Sequence, residues 1–404
     1  MKNEMIHVGV IGLGNRGTDM IKNVVLPMPG IQVVAVCDEY EDRVKKGMEI
    51  VLESGASQPA GMKDYCELLD TPDLDAVFIF SAWESHIPAA IKAMEKGIAV
   101  VMEVGGAYSV QQCWDLVHAS ENNATPCMLL ENCCFGRREM MVMHMVRNNI
   151  LGDIVHASGG YHHDLRDEIS FGRENRHYRL RNYLARNCEN YPTHELGPIA
   201  KILDINRGNR MVSLTSTASS AKGLKEFIRK SPGADQSLLN REIAQGDIVT
   251  TVIKCARGET ITITLDTTLP RFYSRGFSIR GTKGMYEEAT DSVFLDGVHD
   301  SMHFKWKEQW GNAEAFSKDY EHPTWKEYLS KGVQGGHDGM DWLAVSAFVR
   351  SLEKGIPMPV DVYDTAAWMC ITALSEMSIQ LGSTPVSIPD FTNGLWIGRT
   401  SEFS

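Results

Sequence analysis

Tyr191-Pro192-Thr193-His194-Glu195 brings a phenol, an imidazole and a carboxylate into five consecutive positions. Gly197, Pro198 and an apolar helical pattern follow. An imidazole titrates near neutral pH without help, so His194 is a candidate general base. The pattern predicts a helix over Pro198 to Ile205, ended by Gly208, with His194 at its start. A helix N-terminus keeps such a ring neutral. The competing reading is a histidine that only caps that helix. Glu195 fits either a contact to a ligand or a helix cap.

Upstream, Tyr161-His162-His163-Asp164 closes a strand-like run. Side chains alternate faces along a strand, so at most one of His162 and His163 faces a site, and no metal site is expected. Residues 166–190 are rich in arginine, Arg179 among them, with Tyr178 and Tyr183 close by. They read as a loop or short helices over a site, or as a solvated basic surface.

A second constellation lies near the N-terminus. The apolar run His7–Ile11 leads into Gly12-Leu13-Gly14-Asn15-Arg16-Gly17, then a helical stretch, the strand Ile31–Cys37, and Asp38 at its end. Strand, G-x-G-x-x-G, helix, strand and an acid about twenty residues on is the dinucleotide-binding pattern. Gly12 permits the tight turn, Gly14 lets the backbone approach a pyrophosphate, and Gly17 lets the helix pack close. The helix N-terminus offers N–H groups to phosphate. Asp38 suits a free ribose hydroxyl and repels a 2′-phosphate, so NAD is the expected cofactor.

These residues need two kinds of scaffold. The βα alternation continues through strands at Ala76–Phe80, Ala99–Glu103 and Pro126–Glu131, which predicts a parallel sheet. Ligands gather at the carboxyl ends of such strands, where Ser81, Trp83, His86, Glu103 and Asn132 fall. Beyond Asn149 the period changes to two, with strands expected at 154–163, 211–219, 247–255, 259–268, 277–281 and 293–295. The fold is therefore α/β. A Rossmann doubly wound parallel sheet over residues 1–134 precedes a substrate-binding domain over 135–404, built on a large, open, mostly antiparallel sheet. Few helices are expected to interrupt that sheet. Helices at 341–355 and 363–381 are expected to pack back toward the domain boundary.

The totals narrow the function. The 404 residues carry 40 basic against 52 acidic side chains, a net charge of −12. That opposes a nucleic-acid backbone as partner. No run of 18 apolar residues occurs, so no membrane span is expected. Nine cysteines lack metal or disulfide spacing, and the start lacks a secretory signal pattern, so a reducing cytoplasm is expected.

With these residues in place, the chain resembles the Gfo/Idh/MocA oxidoreductase family. The sugar dehydrogenases of that family carry Glu-Lys-Pro near Glu103 and Asp-x-x-x-His in the second domain. This chain has Glu103-Val104-Gly105 and Asn190-x-x-x-His194 instead. Those departures, with Glu131-Asn132-Cys133, Gly160-Tyr161-His162-His163-Asp164-Leu165-Arg166, Tyr178-Arg179, Tyr191-Pro192-Thr193-His194, the segment 269–275 and Gly336-His337-Asp338-Gly339-Met340-Asp341, resemble the NAD-dependent glycosidases of glycoside hydrolase family 109. The founding activity of that family is α-N-acetylgalactosaminidase. The founding enzymes carry Gly where Glu195 stands.

The resemblance implies a glycosidase that oxidises sugar C3, eliminates across C1–C2, adds water at C1 and re-reduces C3. NAD would be tightly bound and recycled. It implies His194 as base at the sugar hydroxyl and Tyr161 as base at C2, with its hydroxyl made acidic by Arg179 or by the charge of the oxidised nicotinamide. Tyr191, Arg179 and Tyr273 would bind substrate. Gly12, Gly14, Asn15, Arg16, Gly17, Asp38, Trp83, His86, Glu103 and Asn132 would hold the cofactor. A homo-oligomer is the family's habit. The alternative activity is a sugar or glycoside 3-dehydrogenase that releases a keto sugar.

Overall fold

The computed structural model describes residues 5–300, 302 and 306–400. The chain forms two compact units. The first runs to Phe135 and takes up Tyr328–Ala366; the second comprises Gly136–Glu327 and the chain from Ala367.

In the first unit six parallel strands are β1 (Ile6–Ile11), β2 (Ile31–Cys37), β3 (Ala60–Met62), β4 (Ala76–Ile79), β5 (Ala99–Met102) and β6 (Cys127–Leu129), in the order β3-β2-β1-β4-β5-β6. Val8, Val10, Phe78, Ile79, Val100 and Met128 are essentially inaccessible, as strands covered on both faces require. The order reverses between β1 and β4, so the crevice that binds ligands in such sheets opens where Gly12 follows β1. The helix Met340–Lys354 belongs to this unit, where Phe348 stands edge-on to Phe78 at 5.7 Å between ring centroids.

The second unit holds an eight-stranded sheet of β7 (Ile154–His162), β8 (Met211–Ala218), β9 (Ile248–Cys255), β10 (Thr260–Asp266), β11 (Ser278–Gly281), β12 (Gly284–Glu287), β13 (Ser292–Leu295) and β14 (Val386–Ser387). Its order is β13-β12-β11-β7-β10-β9-β8-β14, and β7–β10 is its parallel pair. β9 and β10 alternate buried and accessible positions, so one face is covered and the other open.

Helices stand between these strands, most of them where the sequence leads us to expect them. Arg166–Ser170, Arg179–Ala185 and Thr193–Ile202 stand between β7 and β8, and Gly223–Lys230 between β8 and β9. The first two fall in the segment read as a loop or short helices, whereas Gly223–Lys230 was not expected. The helix expected at Pro198–Ile205 runs instead over Thr193–Ile202, with Pro198 inside it. Among the described residues no helix is long and apolar enough to cross a membrane.

Candidate functional site

In the first unit the glycine loop fits a dinucleotide phosphate. Gly12 has φ +97°, and a Cβ there would stand 2.5 Å from the carbonyl carbon of Phe80. At Gly17 a Cβ would lie 2.0 Å from the Gly12 carbonyl oxygen, so only glycine lets helix Asn15–Met20 approach β1. Gly14 differs: a Cβ there would meet only an Arg43 nitrogen, at 3.8 Å. The helix start is thus uncovered where a pyrophosphate would approach. Asp38 is buried, and its carboxylate accepts from the backbone of Leu13 at 2.8 Å and Tyr40 at 3.0 Å. Those two bonds leave carboxylate lone pairs for ribose hydroxyls. Arg43 Nη1 lies 3.8 Å from Asp38.

Trp83 and His86 lie on helix Trp83–Glu95 after β4. His86 is 1% exposed; its Nε2 donates to the Ser81 carbonyl at 2.8 Å, and its Nδ1 has no partner among the described residues. Burial pulls its pKa down, so that nitrogen stays a bare acceptor. Val104, where sugar dehydrogenases of this fold place lysine, is 2% exposed. At Gly105 a Cβ would come within 2.5 Å of the Trp83 ring, which accounts for glycine there.

Arg16 is tied to acidic partners. Its Nε donates to Glu103 at 2.8 Å, and its two terminal nitrogens donate to the two oxygens of Asp341, each at 2.8 Å. Asn132 also donates to Asp341, at 2.9 Å, and His337 Nδ1 lies 2.7 Å from it. Asp341 has no exposed side-chain surface. Burial alone would push its pKa up, but the bonds from Arg16 and His337 hold it well below the usual carboxylate range. The same bond raises His337. His337, Asp338 and Gly339 all have positive φ, so the loop entering the helix is strained to deliver Asp341. Asp341 was missed as a site residue; only its place in the 336–341 motif pointed to it.

The second unit gathers Tyr161, His163, Arg179, Tyr191, His194 and Tyr273. Tyr161 ends β7, with ring centroids 4.2 Å from Tyr191 and 5.3 Å from His194; Tyr191 and His194 are 4.8 Å apart. His194 stands in the first turn of helix Thr193–Ile202. Pro198, four residues on, has no N–H to offer the His194 carbonyl. The buried Arg179 sits over the Tyr191, Tyr178 and Tyr161 rings at 5.0, 5.7 and 6.0 Å and pairs with Glu168 at 2.6 Å. Among the two adjacent histidines, His163 joins the cluster and His162 packs against Gly276. Tyr273 is half-exposed, its ring 5.2 Å from His163. Asn190 donates to Gln245 at 3.1 Å.

Arg179 alone does not acidify Tyr161. Burial drives its hydroxyl pKa up, and the Arg179 charge offsets only part of that rise. Glu195 packs against β7, and its helix has no side-chain cap bond at Pro192 among the described residues. It is 1% exposed, with its stem against Gly159, where a Cβ would lie 1.9 Å from it, and its carboxylate 3.4 Å from Arg275.

Glu189, just before this cluster, is a buried carboxyl whose pKa burial pushes up to about 8 from 4.5, offset only in part by the Tyr191 backbone N–H. Between those values the folded chain keeps a proton that the unfolded chain releases. Stability therefore falls as pH rises through that window, by about 1.4 kcal/mol per pH unit for one proton. Glu189→Gln is expected to unfold at a higher temperature than the parent at pH 8 and to lose that advantage near pH 4.5. A difference in midpoint that does not vary with pH would contradict the buried, protonated carboxyl.

Comparison with known proteins adds the following. Residues 135–398 match the family model described as glycosyl hydrolase 109, C-terminal domain. Residues 6–130 match the oxidoreductase family with NAD-binding Rossmann fold. The chain is 37% identical to an alpha-N-acetylgalactosaminidase of Tannerella forsythia, over 99% of this chain and 89% of that protein. It is 36% identical, with the same coverage, to a glycosyl hydrolase family 109 protein of Parabacteroides distasonis. Among solved structures, levoglucosan dehydrogenase in complex with NADH and levoglucosan superposes with a TM-score of 0.70 at 16% identity, covering 96% of this chain and all of that one. That likeness shows the fold.

Proposed function

From the premise that the chain belongs to the glycosyl hydrolase 109 family and is an NAD-dependent glycoside hydrolase, we propose that it cleaves N-acetylgalactosaminides by redox elimination. NAD, when bound, supplies a hydride acceptor for sugar C3 and returns the hydride at the end, so none is consumed. Gly12, Gly14, Asn15 and Gly17 would hold the pyrophosphate at the helix start, and Asp38 the ribose. Trp83 and His86 would line the same cradle. Arg16, Glu103 and Asn132 would support it through Asp341.

His194 takes the proton of the C3 hydroxyl as C3 is oxidised. The resulting ketone acidifies C2–H, and Tyr161 removes that proton. The electron pair forms the C1–C2 double bond as the aglycone leaves C1. Water adds back at C1, C2 regains a proton, and C3 is reduced. Tyr191 orients the sugar; Arg179 and Tyr273 bind it.

The observation that carries this reading is the make-up of the cluster. Ordinary glycosidases need two carboxylates flanking the scissile bond. Here phenols, imidazoles and a guanidinium meet, and Glu168 is already tied to Arg179. Such groups suit proton transfer at C–H and O–H more than support of an oxocarbenium ion. The sugar class follows the Tannerella forsythia relative.

The test is turnover of an aryl N-acetyl-α-galactosaminide in heavy-oxygen, deuterated water without added NAD. Free sugar carrying deuterium at C2 and heavy oxygen at C1 over many turnovers is expected. Intact glycoside with a 3-keto product, formed only in proportion to added NAD, would instead mean a dehydrogenase.

A further inference from the structure

The redox-elimination reading leaves Tyr161 without the means to act as a base. Its hydroxyl is buried and stays protonated at neutral pH, because the Arg179 charge does not outweigh burial. A protonated phenol accepts a proton only if it passes its own on in the same step.

The structure supplies the acceptor. The Tyr161 hydroxyl lies 2.9 Å from His163 Nδ1, with the two rings edge to face at 5.5 Å. Residues two apart along a strand share a face, and the backbone N–H of His163 donates to the Asp266 carbonyl at 3.0 Å, so the strand's course continues through it. The Tyr273 ring stands edge to face with the same imidazole at 5.2 Å. His163 is only partly buried, so it can exchange its proton with water, whereas Tyr161 is 6% exposed. Arg179, Glu168, His194 and Asp164 all act on His163; burial first, then the Arg179 charge, keep it neutral.

We propose that His163 is the terminal proton acceptor of the C2 step, reached through the Tyr161 hydroxyl. The C2 proton passes to the phenol oxygen as the phenol proton passes to His163 Nδ1. The C–H electron pair becomes the π bond of the C1–C2 double bond, and the aglycone leaves with the C1–O pair. Tyr161 ends as it began, His163 becomes an imidazolium, and the charge is balanced by the departing alkoxide. Water addition runs the relay backwards. The proposal rests on the reading in Proposed function.

The test separates the two steps in the holoenzyme with an aryl N-acetyl-α-galactosaminide in deuterated water. Reduction of the bound cofactor, followed at 340 nm in a single turnover, reports C3 oxidation; deuterium at C2 reports the relay. His163→Ala is expected to keep cofactor reduction within about threefold and to lose C2 exchange and sugar release by about 10²–10⁴-fold. Tyr161→Phe should show the same split, and the double variant should be no slower than either single one. Restoration of exchange in His163→Ala by added imidazole would support the relay. Wild-type exchange in His163→Ala overturns it, as does equal loss of both steps in a folded variant. Failure of the parent protein itself to place deuterium at C2 while releasing sugar would overturn the elimination reading, and the relay with it.

Discussion

Alanine at His194 is expected to slow turnover by about 10²–10⁴-fold, the usual contribution of a general base, while NAD stays bound and the fold persists. The imidazole packs edge-on against Tyr161 and Tyr191, and both rings retain each other as neighbours at 4.2 Å without it. Alanine favours the helix Thr193–Ile202. The residues that form the glycine loop, Asp38 and the Trp83 helix belong to the other unit, so cofactor content should not follow turnover down. The decisive readout is single-turnover reduction of the bound cofactor. It should be lost in His194→Ala, whereas His163→Ala retains it. Turnover within about threefold of the parent would remove His194 from the mechanism.

Asp341→Ala is expected to be among the most destabilising single changes in the first unit. It strips the Arg16 guanidinium of both bonds to its terminal nitrogens and leaves Asn132 without its acceptor. Breaking a buried ion pair by removing one partner costs about 3–5 kcal/mol, and the lower end applies because the Arg16 side chain keeps 27% exposure. A drop in the thermal midpoint and faster loss of NAD on dilution should appear together, because the clamp holds Arg16 beside Gly14 and Gly17. Replacing both partners removes the uncompensated charge, so Arg16→Met with Asp341→Leu should be less destabilised than Asp341→Ala alone. A double variant that shows the sum of the single losses would mean the pair contributes nothing as a pair.

The asymmetry between Gly12 and Asp341 shows what the sequence made legible. Gly12, Gly14 and Gly17 act through backbone geometry within one turn, so their spacing alone placed them. Asp341 acts on Arg16 across 325 positions, and no local pattern registers such a pairing. The long strands were readable from their period; β3, β12 and β14 are two to four residues long, too short for a period to develop. Pro198 misled because proline favours the first turn of a helix, whereas here helix Thr193–Ile202 already encloses it. The His162–His163 alternation was read correctly. That reading left open which of the two joins the cluster, and the structure places His163 there. The chemical state of Tyr161 could not be read, because it depends on burial that only the packed cluster creates.

The first unit is assembled from two stretches of chain separated by most of the second. Its strands leave the ribosome early, but Phe348, which packs on Phe78, and Asp341, which holds Arg16, emerge roughly 200 residues later, on the order of ten to forty seconds at ~5–20 residues per second. During synthesis the nucleotide fold therefore waits, incomplete, while the second unit is made. A fragment ending at Phe135 lacks both contacts and would expose the Phe78 face to solvent. The two functions are consequently not separable by cutting the chain between them, and a donor of this Rossmann unit for a chimera would have to contribute its distant helix as well.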